Sequence, residues 1–254
     1  MSATPECIAL IPARAGSKRV AHKNIAPLAG HPLIAYTICA ALDSGVFSRV
    51  VVSTDSEEYA AIARYYGAEV PFLRPAEISG DKSPDIEWIL HALNHLRNPQ
   101  EEVFECFALL RPTSPCRKPE TIRRAWSQFI QQTGVDSLRA VELCAQHPGK
   151  MWIVRGDRMH PLMPMTHEDA TPYHSSQYAA LPKVYVQNAS LEIAWSRVAL
   201  EGGTISGEVL TPFLTYTDEG LDVNSQHDWR MLEAMVDGGE ATLPTVNMPP
   251  YSKR

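Results

Sequence analysis

What this chain lacks narrows it first. It has no stretch of about 18 apolar residues and no signal-peptide pattern, so the expectation is a soluble, cytoplasmic protein with no membrane partner. Neither Gly-x-x-x-x-Gly-Lys-Ser/Thr nor Gly-x-Gly-x-x-Gly occurs, which removes the ordinary P-loop and dinucleotide-binding readings. Gly-x-Ser-x-Gly is absent too, so a serine hydrolase has no support. Cys-x-x-Cys spacing is missing. The five cysteines (Cys7, Cys39, Cys106, Cys116 and Cys144) are odd in number and scattered, and Cys7 and Cys106 fall in apolar runs, as buried reduced thiols do. There is no excess of positive charge: the net charge of -6 disfavours nucleic acid as a partner.

What remains is globular. With 254 residues, 44% of them hydrophobic and 20% charged, the chain can bury one large α/β core or two small ones. Its most informative stretch is Ile11-Pro-Ala-Arg-Ala-Gly-Ser-Lys18, continuing to Lys23-Asn24. It follows an apolar strand-like run, Cys7–Ile11, and sets Arg14, Lys18 and Lys23 around Gly16 and Ser17. Such a loop can turn backbone N–H groups toward phosphate oxygens while the cations neutralise them. On an otherwise acidic chain, a local basic loop suits a small polyphosphate better than a long polyanion.

Strand and helix patterns alternate through the first part. Strands are expected at Cys7–Ile11, Arg49–Thr54 and Val103–Leu110. Helices are expected at Pro32–Leu42, from about Glu57 to Tyr66, at Asp85–Leu96, and after Pro119, where Gly134 closes the pattern. This alternation implies a mostly parallel sheet covered on both faces, with ligands at the carboxyl ends of its strands. The basic loop, Asp55 and the turn Arg111–Arg117 all fall on that edge. From about Cys144 the pattern breaks into a segment rich in Pro, Met and His, with a short extended piece at Met151–Val154. It reads as a lid or a hairpin arm that packs on a second copy, hence a homodimer. Regular structure resumes at Val184–Val186, at Leu191–Trp195 and in a final helix, Ser225–Met235.

Four constellations have the residue types for chemistry. Asp222 and Asn224, two apart in an extended segment, offer oxygens to a hard cation, or Asn224 or Ser225 merely caps the helix that follows. Arg111-Pro-Thr-Ser-Pro-Cys-Arg117 either grips an anion with its arginines, Thr113 and Ser114 or is an ordinary loop. His91 and His95 have zinc-like i, i+4 spacing, but Ala92 stands where a catalytic Glu is needed, so they read as packing or surface residues. His167, Glu168, Asp169 and His174 read as a polar loop.

Taken together these residues resemble the acylneuraminate cytidylyltransferase family, the CMP-sialic acid and CMP-nonulosonate synthetases. The resemblance rests on Ile11–Lys18 with Lys23-Asn24, Val52-Ser-Thr-Asp55, Gly67-Ala-Glu-Val70, Leu73-Arg-Pro-Ala-Glu77 and Pro112-Thr-Ser-Pro115, in that order. His147-Pro-x-Lys150, Leu181-Pro182, Asn188 and Asp222 extend it, so that it spans residues from about 7 to 235. It implies a three-layer, Rossmann-like nucleotidyltransferase fold: one domain over residues 1–254, with a dimerisation arm at about 145–183. It also implies transfer of CMP from CTP to the anomeric hydroxyl of a nonulosonic acid for surface-glycan synthesis. In that scheme Arg14, Ser17, Lys18 and Lys23 hold the triphosphate, and Asn24, Arg74 and Ser83 contact the cytidine. Asp222, with Asn224, holds Mg²⁺. Arg111, Thr113, Ser114, Lys150 and Asn188 serve the sugar, with Lys150 reaching toward a neighbouring protomer.

This chain departs from the family pattern where the sugar should lie. Arg111 replaces a glutamine, Asn188-Ala-Ser190 replaces Asn-Gly-Ala, and Asn224 replaces an aspartate. Arginines typical of sialic acid enzymes are missing where Tyr178 and Val186 align. The expectation is that Arg111 anchors the sugar carboxylate and that the substrate is not ordinary N-acetylneuraminate. Two alternatives stay open: a related transferase using another sugar acid or nucleotide, or a non-catalytic relative that only binds.

Overall fold

The structure, a computed structural model, describes residues 4–17, 19–96 and 104–252. They fall in two compact units, one within Met1–Ala140 and Asn188–Arg254, the other Val141–Gln187. In chain order the strands are β1 (Cys7–Pro12), β2 (Pro27–Leu28), β3 (His31–Pro32), β4 (Arg49–Ser53), β5 (Cys106–Leu109), β6 (Ser137–Leu143), β7 (Trp152–Arg155), β8 (Arg158–Pro161), β9 (Tyr185–Trp195) and β10 (Leu210–Leu214). The helices are α1 (Leu33–Ser44), α2 (Glu57–Tyr65), α3 (Asp85–Leu96), α4 (Pro119–Gln131), α5 (Ser196–Leu200) and α6 (Gln226–Asp237).

Six strands make the central sheet in the order β10-β6-β9-β5-β1-β4. β1 runs parallel to β4 and β5, so the carboxyl ends of all three share one edge, and β9 is antiparallel to β5. Burial on both faces follows from the period of two along the strands. Cys7, Ala9 and Ile11 of β1 pack with α1, α2 and α4, while Ile8 and Leu10 pack with α3 and α5. β5 alternates likewise, with Cys106 and Ala108 on the first face and Phe107 and Leu109 on the second. This is a three-layer, Rossmann-like α/β fold with a mostly parallel sheet.

The sequence pattern anticipates the helices closely. α2 begins at Ser56, whose hydroxyl accepts from Tyr59 N at 3.4 Å, and Gly67 beyond its end takes a positive φ of 94°. α3 has the expected bounds. α4 ends at Gln131, and Gly134 takes its positive φ of 75° in the loop beyond, not at the helix end itself. Two edge-side strands have no counterpart in the sequence reading. β6 follows directly on the α4 loop, and β10 contains Pro212. Proline fits there because β10 lies at the sheet edge, where one side of the strand has no ladder to serve. The pieces expected at Val184–Val186 and Leu191–Trp195 form one strand, β9, since backbone pairing carries it through the small polar residues Asn188–Ser190.

The second unit is four residues wider at each end than the expected arm, at 141–187 against 145–183. It holds the β7–β8 hairpin and short 3-10 turns. His147 Nδ1 accepts from Gly149 N at 3.0 Å, and its Nε2 lies 3.1 Å from Pro182 O. Gly149 is required there, because a Cβ would come within 2.8 Å of Tyr173 Cβ. Val154, Met159, Leu162, Met163 and Met165 are exposed. Among the described residues no helix is long and apolar enough to cross a membrane.

Candidate active site

The loop leaving β1 is fixed before it can bind anything. Ala13 N donates to Ser53 O and Ala15 N to the Asp55 carboxylate, at 2.9 and 2.8 Å, which ties the loop to the end of β4. The buried Asn24 amide donates to Arg14 O at 3.2 Å and closes the loop on itself. His22 precedes Lys23 with φ of 50°, a left-handed conformation that is costly for a residue with a Cβ, and its ring lies 3.2 Å from the Tyr59 hydroxyl.

Arg14, Ser17, Lys23, Asn24, Arg74 and Ser83 line one cleft with Arg111 and Thr113. Lys18 lies outside the described residues. Lys23 Nζ donates to Val223 O at 2.6 Å, and Val223 N donates to Thr113 O at 2.9 Å. One residue thus joins three loops, bringing Asp222 beside Lys23 although Asp222 does not itself line the cleft. Burial lowers the Lys23 ammonium from its ordinary value, and Asp222 pulls it back. Arg14 pairs with Asp81 at 2.6 Å, with about a third of each side chain exposed (32% and 36%), so water screens the contact.

Arg74 is buried. Its Nε and Nη2 donate to Ser53 Oγ and Ser53 O at 3.0 and 2.9 Å, and its guanidinium lies 4.9 Å above the Trp88 ring. Burial pushes it down to about 10, against the pull of Asp55 and Asp85, and it remains a cation at neutral pH.

Arg111 lines the cleft, but its charge is already matched. Nη2 donates to Asp85 at 2.6 Å and to Glu192 at 3.4 Å, and Glu192 in turn pairs with Arg139 at 3.0 Å. The antiparallel register sets Glu192 opposite Leu109, on the same face as Arg111 two residues on. A sugar carboxylate expected at Arg111 would therefore meet an arginine already shared between two protein carboxylates. Burial alone would raise Asp85, but the Arg111 and Trp88 hydrogen bonds outweigh it and hold the carboxyl below its usual range.

Other expected sugar residues sit elsewhere. Ser114 is fully buried, does not line the cleft, and its hydroxyl has no partner among the described residues. Asn188 donates to Thr215 Oγ1 at 2.8 Å and accepts from Ser190 N at 3.2 Å, and it does not line the cleft. The Lys150 ammonium donates to Ser176 O at 2.6 Å and His174 O at 3.3 Å, within its own unit. Arg117, completely buried, donates to the carbonyls of Ser190 and Arg111 and to Thr37 Oγ1, and desolvation lowers it to about 9.

The donor set at Asp222 fits a hard divalent cation. Among the described residues Asp222 Oδ1 is buried without a hydrogen-bond partner, while Oδ2 accepts from the Asn224 amide. Ser225 and Asp228 cap α6 reciprocally at 3.2 and 2.7 Å, so the capping duty falls to them. His91 and His95 stack against each other and Phe72, with ring centroids 4.3 to 5.0 Å apart, as expected of packing residues. Among the described residues no three His, Cys, Asp or Glu side chains form a metal cluster.

Sequence reasoning missed Asp81, Asp85 and Glu192. In sequence Asp85 looks like an ordinary first-turn helix acid, and nothing signals that Arg111, 26 residues on, will face it.

Comparison with known proteins identifies the family and the fold. The Cytidylyltransferase family model matches residues 8–152. CMP-N,N'-diacetyllegionaminic acid synthase of Legionella pneumophila is 36% identical over 93% of this chain and 98% of its own length. The N-acylneuraminate cytidylyltransferase of Escherichia coli is 52% identical over 43% of this chain and 25% of its own. A solved structure of CMP:2-keto-3-deoxy-manno-octonic acid synthetase complexed with CTP shares the fold, with a TM-score of 0.63, 12% identity, and coverage of 92% of this chain and 99% of that one. With its cations gathered at one sheet edge and its sequence matched along most of its length, this chain belongs to the cytidylyltransferase family.

Proposed function

We propose that the chain transfers CMP from CTP to the anomeric hydroxyl of a nonulosonic sugar acid and releases pyrophosphate, in the cytoplasm and as a homodimer. The observation that carries the reading is the meeting of Lys23, Thr113 and the Asp222 segment at Val223, on the same strand ends as Arg14. The near full-length similarity to a CMP-N,N'-diacetyllegionaminic acid synthase points to the sugar class.

In this reading Arg14, Lys18, Lys23 and Ser17 take the triphosphate, and Asn24, Arg74 and Ser83 take the cytidine. The sugar hydroxyl attacks the α-phosphorus, forming a new P–O bond as the bond to pyrophosphate breaks. Lys23 and Arg14 stabilise the charge that gathers on the phosphates, and positioning supplies most of the remaining catalysis. Asp222, with Asn224, would hold Mg²⁺, whose chemistry there is to neutralise phosphate oxygens. Thr113 remains available to the sugar, and the apolar side chains exposed on Val141–Gln187 are suited to burial against a second copy. A pyrophosphate-release assay with CTP, Mg²⁺ and a panel of nonulosonic acids should give turnover with at least one of them. CTP binding without turnover on any member would favour a relative that only binds.

A further inference from the structure

We propose that Asp85 is the residue by which the cleft selects cytosine, and that Arg111 is a positioning residue that holds it there. The inference rests on the nucleotidyl-transfer reading above and names how its base is chosen. Cytosine offers an amine donor at N4 beside acceptors at N3 and O2, whereas uracil offers an acceptor at O4 and a donor at N3. Selecting the first over the second requires an acceptor facing N4 and a donor facing N3 or O2.

The cleft supplies both on its α3 side. An ionised carboxylate only accepts, and aspartate is an established partner of the cytosine N4 amine. Arg74 is the donor: Nε and Nη2 serve Ser53, while Nη1 has no hydrogen-bond partner among the described residues. Arg74 and Asp85 both line the cleft and each favours the other's charged form.

Asp85 is fixed as a recognition group must be. Trp88 Nε1 and Arg111 Nη1 donate to Oδ1 at 2.8 and 3.5 Å, and Arg111 Nη2 donates to Oδ2 at 2.6 Å, so the open acceptor site is on Oδ2. A carboxylate has about four lone-pair sites, so acceptor capacity remains, and 31% of the side chain is still exposed. A bare carboxylate would repel a polyanionic nucleotide. Arg111 cancels that repulsion while leaving the acceptor in place, which explains an arginine whose charge is engaged by protein carboxylates and not held open for a ligand.

The test compares binding and kcat/KM for CTP, UTP and dCTP in the full chain, for the wild type, Asp85→Asn, Asp85→Ser, Arg111→Gln and Arg111→Lys. The wild type should prefer CTP to UTP. Asp85→Asn should lower that preference by about tenfold or more, the range of a charge-assisted hydrogen bond, because its amide can donate to O4. Asp85→Ser should lose CTP affinity without gaining UTP. Arg111→Gln should shift the ratio the same way but less, and Arg111→Lys should recover part of it. An unchanged CTP-to-UTP ratio in Asp85→Asn, or equal losses for both nucleotides, would overturn the inference and leave CMP transfer standing. So would a shift confined to dCTP against CTP, which would put the carboxylate on the ribose. A wild type that binds none of the three would bring down the nucleotidyl-transfer reading as well.

Discussion

Two loops at neighbouring strand ends look alike in sequence and behave differently. The loop after β1 carries Arg14 and Lys23, and the loop after β5 carries Arg111 and Arg117. In the first, the cations have partners a ligand can replace: a screened carboxylate for Arg14 and a neutral carbonyl for Lys23. In the second, Arg111 is tied to Asp85 and Glu192, and Arg117 is sealed among carbonyls in the core. An arginine at a ligand-binding edge is therefore not automatically a ligand-binding arginine. What decides is whether the fold has already neutralised it.

Substitutions can break or sharpen this contrast. The largest effect should come from Lys23→Ala, which should lower kcat/KM roughly 10²–10³-fold, the scale for losing one preorganised group that stabilises transition-state charge. Its thermal midpoint should barely move, and a loss of less than about threefold would place Lys23 with the structural cations. Arg117→Met should act the other way, through stability. It leaves buried acceptors at Arg111 and Ser190 unpaired, so a cost of about 3 kcal/mol is expected in urea unfolding. If the Met variant is as stable as the parent, the buried guanidinium is a burden, not a strut. Asn224→Asp should have the smallest effect, lowering the Mg²⁺ midpoint several-fold by adding one charge beside Asp222. No change in that midpoint would remove Asn224 from the metal site.

The legible part of the molecule was the part with local causes. Apolar runs gave β1, β4 and β5, and Pro119 and Ser225 marked helix starts that the structure keeps. Of the basic loop that the sequence sets after β1, Arg14, Ser17 and Lys23 line the cleft. β6 and β10 were not legible, since strand formation depends on neighbouring strands more than on a segment's own pattern. Ser114 and Asn188 were misplaced for a related reason. A polar side chain reads the same in sequence whether or not it faces a cleft: Ser114 is buried in the interior, and Asn188 is engaged by Thr215 and Ser190 N.

The amino-acid order by itself determined the layered α/β architecture and where a basic loop would leave its first strand, because helix caps, strand alternation and loop composition act over a few residues. Which charges stay open to a ligand was decided only by tertiary structure. Asp85, Arg111, Glu192 and Arg139 come from four separate elements, and Coulombic pairing between them exists only once the sheet and α3 have brought them within about 3 Å.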